Sequence, residues 1–155
     1  MARQSRRRRR RRVLVSPRHP LHPNTVALVA FGGAIGASAR FGLATSFPDS
    51  GTGFPWTTFG INLVGSFLLA LLPAVAVVRR SHQLPPLLGT GVLGGFTTLS
   101  AYSQQARDLV AAGSVGLAAA YLAGTLMVCL AAVAVADQFS STSARAEFEA
   151  EDGDL

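Results

Sequence analysis

The stretch Gly94-Gly95-Phe96-Thr97-Thr98-Leu99-Ser100-Ala101-Tyr102-Ser103 interrupts an otherwise apolar segment. Two glycines are followed by a run of hydroxyls, where a membrane-crossing helix ordinarily carries Leu and Val. Non-helical backbone is tolerated at membrane depth only where it is buried in protein or lines a water-filled cavity. The stretch therefore predicts a Gly-Gly break in a membrane helix. Carbonyls and hydroxyls at that break would line an ion site or a permeation path.

Four apolar segments surround and include this break: 25–47, 57–78, 87–110 and 115–136. Each is long enough to cross a hydrocarbon core of about 30 Å, which takes roughly 20 residues. Pro48, Asp49, Ser50 and Gly51-Thr52-Gly53 form a turn-rich loop after the first. Arg79-Arg80 and a loop holding Pro85-Pro86 follow the second, and Gly113 closes the third. The loops are short, so successive helices are antiparallel neighbours. The expected fold is an all-α membrane protein of four transmembrane helices with a broken third helix. Small residues within the segments (Gly32, Gly33, Gly36, Ala37, Gly60, Gly65, Ser66, Gly124) let helices approach closely. Four such helices make a thin bundle, and a dimer is its natural completion.

The chain of 155 residues is 49% hydrophobic, with a mean hydropathy of +0.36. It contains no Lys, and its formal net charge of +6 comes mainly from arginines at the N-terminus, including the consecutive run 6–12. No aromatic or groove-reading element accompanies that run, so it reads as a membrane-orienting tail rather than a nucleic-acid site. Residues 1–23 are expected to be a disordered cytoplasmic tail, 24–137 the membrane domain, and 138–155 an acidic disordered tail. The N-terminal arginines and Arg79-Arg80 fall on one side if four helices cross, which predicts both termini in the cytoplasm. A single cysteine, Cys129, excludes an internal disulfide.

Polar side chains at membrane depth mark function by default. Arg40 lies inside the first segment, where it either snorkels to the interface or lines an anion-attracting vestibule. Thr58 and Asn62 share a face of the second segment. Asn62 can donate to an anion without carrying charge, or can make a structural interhelical bond. Tyr121, Thr125 and Cys129 recur at the same spacing on the fourth, where the hydroxyls form a track or bond their own backbone. From Val13 to Gln105 the only acidic residue is Asp49, in a loop. No carboxylate sits within the membrane to carry a proton or pair with a cation. The histidines lie in tails or loops, and no nucleophile–base set assembles, so the chain does not read as an enzyme.

Three stretches, Gly32–Phe41, Thr58–Phe67 and Gly91–Ser103, resemble the small bacterial fluoride channels of the CrcB/Fluc family. That family shows Gly-Gly-x-Thr-Thr-Phe-Ser-x-Phe-Ser in the third stretch. The likeness runs from about Val26 to Ala136. It implies a passive, fluoride-selective channel that exports F⁻ across the cell membrane and confers fluoride resistance. It also implies an antiparallel dimer with pores along its interface and a structural Na⁺ at the centre. By position, Gly94 and Thr97 would offer carbonyls to the Na⁺. Asn62, Thr58, Leu99, Ser100, Tyr102, Tyr121 and Thr125 would line the pore, and Arg40 would stand at the vestibule. Where the family has a pair of Phe rings, this chain has Leu99 and Tyr102. Ring edges carry positive partial charge and can meet an anion. The expected assembly is a homodimer or a heterodimer with a second family member, and the altered pair, with the strong Arg bias, favours the heterodimer.

Two other classes remain to be separated. A small multidrug exporter is also a four-helix dimer but requires a membrane-embedded carboxylate, which is missing from the first segment. A non-transporting membrane interaction protein would depend on the Arg tail, and deleting that tail would abolish its function.

Overall fold

A computed structural model describes residues 23–152. The expected N-terminal tail lies almost wholly outside the described residues. The chain is helical, with no strand among the described residues. Helix α1 runs Pro23–Ser46 and α2 runs Trp56–Leu71. Helix α3 covers 85–96: wide π-helical turns over Pro85–Leu93, then one α-turn, Gly94–Phe96. After a two-residue interruption come α4, Leu99–Ala111, and α5, Val115–Asp152. Three stretches are long and apolar enough to cross a membrane: Pro23–Ser46, Trp56–Ala74 and Val115–Ser140. The fourth apolar segment is the interrupted pair α3–α4. This is an all-α, multi-pass membrane protein.

Two expected boundaries shift for local reasons. The second segment does not continue as one helix to residue 78. Pro73 has no N–H to give, and α2 tightens into a 3₁₀ turn, Leu72–Ala74, before Val75 becomes extended. A short turn, Ala76–Arg79, follows, and the Arg79 guanidinium donates to the Pro73 carbonyl. The last helix does not stop near residue 136, and residues 138–152, expected to be disordered, continue it. No Pro or Gly interrupts 125–152. Ser140 ties this extension down by donating from Oγ to the Ala70 carbonyl at 2.8 Å.

The interruption in α3–α4 is not at the glycines. Gly94 is helical, with φ −65° and ψ −34°, whereas Thr97 and Thr98 are extended. The glycines act through packing instead. α1 lies directly on α3, and a Cβ at Gly36 would fall on the Val92 carbonyl oxygen. One at Gly95 would fall on the Gly33 carbonyl, and one at Gly32 on that of Leu87. Backbone therefore meets backbone along this seam, as small residues in membrane helices permit.

α2 packs on α5, and α5 also packs on α4. Their junction holds the buried apolar cluster of the subunit among the described residues. Leu109, Ala106, Ala118 and Tyr121 are buried there against Phe54, Phe59 and Tyr102. Phe54 meets Tyr121 edge-on at 5.3 Å and Phe59 at 5.6 Å. Outward-facing positions such as Phe31, Phe41, Val77, Leu126 and Met127 are exposed and apolar, as lipid or a second subunit requires.

Candidate ion pathway

The break is built by side chains that take over backbone hydrogen bonds. In a continuous helix the Thr98 N–H would reach the Gly94 carbonyl. Here it goes to Asn62 Oδ1 at 2.8 Å, and Asn62 Nδ2 donates to the Thr98 carbonyl at 3.0 Å. The Asn62 side chain thus pairs with one residue's backbone through both its donor and its acceptor. The Ala101 N–H, which would otherwise reach the Thr97 carbonyl, goes to Thr98 Oγ1 at 3.2 Å. Thr98 is therefore the N-cap of α4. The break separates four carbonyls, those of Gly94, Gly95, Phe96 and Thr97, from the N–H groups four residues on, and that of Gly95 takes Arg40 instead. Gly94 and Thr97 are two of the four. These two were expected to hold a cation, and unwound carbonyls suit an alkali ion. Among the described residues no His, Cys, Asp or Glu cluster offers a metal site.

Arg40 reaches the same turn from α1, its Nε donating to the Gly95 carbonyl at 3.3 Å. It does not snorkel away from the break. Thr97 Oγ1 donates back to Leu93 at 3.0 Å, and its methyl lies against Gly65. Gly94, Leu99 and Ser100 are exposed, with Leu99 75% accessible. The break thus opens on the outside of the subunit.

Beside it lies a cleft of about 230 Å³. Asn62, Leu99, Tyr102 and Thr125 line it together with Thr97, as do Ser66, Thr98, Leu126 and Cys129. The Thr125 hydroxyl is buried and has no hydrogen-bond partner within the subunit. Tyr102 donates its hydroxyl to the Leu122 carbonyl, and its ring packs at 5.0 Å on Tyr121. Ser100, expected to line the path, is not among the residues lining the cleft; it is exposed, its Oγ 3.2 Å from the Thr98 hydroxyl.

Thr58 and Tyr121 sit elsewhere, in a half-buried network with Asp49 at its centre. Asp49 Oδ1 accepts from the Thr57 N–H at 2.8 Å. Its Oδ2 accepts from the Thr58 N–H and hydroxyl, each at 3.3 Å, and from Gln105 Nε2 at 3.2 Å. Gln105 Oε1 accepts from the Tyr121 hydroxyl at 2.9 Å. Sequence reasoning passed over Asp49 and Gln105. The signal to be had was an Asp eight residues before the Thr57-Thr58 pair that opens α2, which is a helix-capping pattern displaced into a loop. Ser66 and Thr98 were also missed. Ser66 lies one turn beyond Asn62 on the same face.

The arrangement offers neutral polar groups, an unpartnered Thr125 hydroxyl among them, in an open cleft beside an interrupted membrane span. Its lining holds Tyr102 and Cys129 but no His or carboxylate to act beside them. Such a subunit belongs to the class of small membrane proteins that conduct ions through re-entrant or broken backbone. The family model described as "CrcB-like protein, Camphor Resistance (CrcB)" matches residues 27–136, and the chain belongs to that family. It is 47% identical over 110 residues to "Fluoride-specific ion channel FluC 1" of Streptomyces coelicolor, covering 70% of this chain and 71% of the relative. Identity to "Fluoride-specific ion channel FluC 2" of Streptomyces avermitilis is 48%, over 65% of each. Against "Fluoride-specific ion channel FluC" of Agrobacterium fabrum it is 46%, over 70% of this chain and 89% of the relative.

Proposed function

We propose that the chain is a subunit of a passive channel that lets F⁻ leave the cytoplasm. The observation that carries this reading is the Asn62–Thr98 clamp, which holds the span open beside a cleft of neutral donors. Fluoride enters cells as neutral HF and is trapped as F⁻ at cytoplasmic pH. An inside-negative potential then drives the anion outward with about 2.3 kcal/mol per charge per 100 mV. The remaining N–H of Asn62, the unpartnered Thr125 hydroxyl and the edge of the Tyr102 ring are the groups that meet the ion. Arg40, on the Gly95 carbonyl, keeps positive charge at the approach. Selectivity comes from a narrow path with donors spaced for a small anion.

The pore is completed by a second subunit in antiparallel orientation. Support for this is the break itself, which faces outward at Gly94, Leu99 and Ser100. Leu99 has no ring to offer, and the Tyr102 hydroxyl is committed to α5. These departures favour a related chain over a second copy as the partner. Gly94 and Thr97 would hold a structural Na⁺ through their carbonyls. When bound, the ion would offset the negative ends of the deprived peptides at the break. Both termini face the cytoplasm in this arrangement.

The test is fluoride-electrode efflux from vesicles containing this chain, alone and with a co-expressed relative. Fluoride-selective flux is expected, larger with the relative. No flux in either preparation refutes the channel. Equal flux from the chain alone refutes the obligate partner.

A further inference from the structure

Arg40 is a charge without a counter-charge. It lies half-buried on α1, one turn beyond Gly36, and pairs with no carboxylate among the described residues. The glycine seam carries it to the break. The backbone of Gly36 lies against that of Val92, and the backbone of Gly33 against that of Gly95, so a side chain one turn further along α1 reaches the end of α3. Arg40 Nε donates there to the Gly95 carbonyl at 3.3 Å, a partner 55 residues away in the chain. Of the four carbonyls that the break leaves, this one alone takes a side-chain donor among the described residues.

The last turn of a helix carries a partial negative charge of about half a unit, and a cation placed beside it is stabilising. Arg40 takes that place for α3, which ends at Phe96. The carbonyls of Gly94 and Thr97, proposed above to hold a structural Na⁺, belong to the same end: one adjoins Gly95 and the other lies two residues beyond it. Two positive charges gathered at one helix end oppose each other. We propose that Arg40 is a positioning residue that serves as the break's own counter-cation, and that it thereby sets the sodium concentration at which a free ion joins it. This inference rests on the sodium reading given above.

The guanidinium offsets part of the helix end before any ion arrives, and it occupies the Gly95 carbonyl. Both effects raise the half-saturating sodium concentration. Loss of the charge therefore tightens sodium binding while it weakens the sodium-free protein. A contact that served packing alone would do the second without the first.

The experiment follows thermal unfolding of the purified assembly as sodium replaces N-methylglucamine at constant ionic strength. Wild type is compared with Arg40→Gln, which removes the charge and keeps a donor, and with Arg40→Lys, which keeps the charge. Unit charges within one helical turn, about 5 Å apart, repel strongly enough at a half-buried site to change an affinity by about tenfold or more. The half-saturating sodium concentration of Arg40→Gln is expected to fall by about that factor. Its melting temperature is expected to lie below that of wild type without sodium and to converge on it as sodium rises. Arg40→Lys is expected to stay near the wild-type midpoint.

An unchanged or higher midpoint in Arg40→Gln overturns the proposal. So does a fall in Arg40→Lys as large as in Arg40→Gln, because charge would then not be the cause. Where Arg40→Gln does not assemble without sodium, saturating sodium is expected to rescue it, and failure at every sodium concentration overturns the proposal too. Indifference of all three proteins to sodium refutes the sodium reading and this inference with it. A sodium-dependent wild type with an unshifted Arg40→Gln removes only the role of Arg40.

Discussion

Asn62→Asp is the sharpest single perturbation of the break. The substitution keeps shape and the Oδ1 acceptor that takes the Thr98 N–H at 2.8 Å. It removes the donor that reaches the Thr98 carbonyl at 3.0 Å and sets a second, charged acceptor against it. Leaving a buried acceptor unpaired costs about 1–3 kcal/mol, and at about 1.4 kcal/mol per tenfold this is roughly 5- to 150-fold in the population of the native break. Negative charge beside the path also opposes an anion. Fluoride efflux from vesicles should fall by about tenfold or more on this estimate, and the extracted protein should melt earlier. Asn62→Ala provides the contrast. With no side chain to hold it, the Thr98 N–H can return to the Gly94 carbonyl and the span can straighten. Flux should fall as far, but stability should fall less than in Asn62→Asp. Wild-type flux in Asn62→Asp would refute the reasoning, because the clamp would then be dispensable.

Three further outcomes follow from particular contacts. Gly36→Ala places a methyl on the Val92 carbonyl and should destabilise the α1–α3 seam by about 1–3 kcal/mol or more, seen as a lower melting temperature. Gly60→Ala, inside α2 with nothing within 4 Å of the added carbon, should not lower it and should raise it slightly, since Gly in a helix interior costs about 0.5–1 kcal/mol relative to Ala. Thr125→Val removes the unpartnered hydroxyl from the cleft at nearly constant volume. Fluoride flux should drop while folding is preserved, and Thr125→Ser should restore it. Preparing the protein in sodium-free buffer should lower its thermal stability, with recovery on adding Na⁺. A melting curve indifferent to sodium would remove Gly94 and Thr97 as its site.

The sequence made the four apolar segments legible because length and hydropathy need no tertiary information. It also placed the interruption in the third segment close to its true position. The break falls at Thr97-Thr98, after the glycines, because Asn62 and Thr98 supply the competing hydrogen bonds. That competition involves a partner 36 residues away in the chain, which no local pattern reveals. Gly94-Gly95 carried the signal for a different reason, the close approach of α1 to Gly95. Asn62 was legible as a lone amide in an apolar run, though not that it binds backbone through both ends. Asp49 was seen only as a loop acid, since its contacts with α2 and α4 exist only after folding. The extension of α5 past residue 136 was hidden by its polar composition. Charge argued for a tail, while the absence of Pro and Gly and the Ser140–Ala70 bond kept the helix going.

The most direct measurement is ion-selective efflux from vesicles carrying the wild-type assembly, with fluoride and chloride gradients compared at a fixed potential. Rapid fluoride loss, little chloride loss and no dependence on a proton gradient are predicted. Equal passage of both halides, or flux that requires a proton gradient, would contradict a narrow passive path lined by neutral donors.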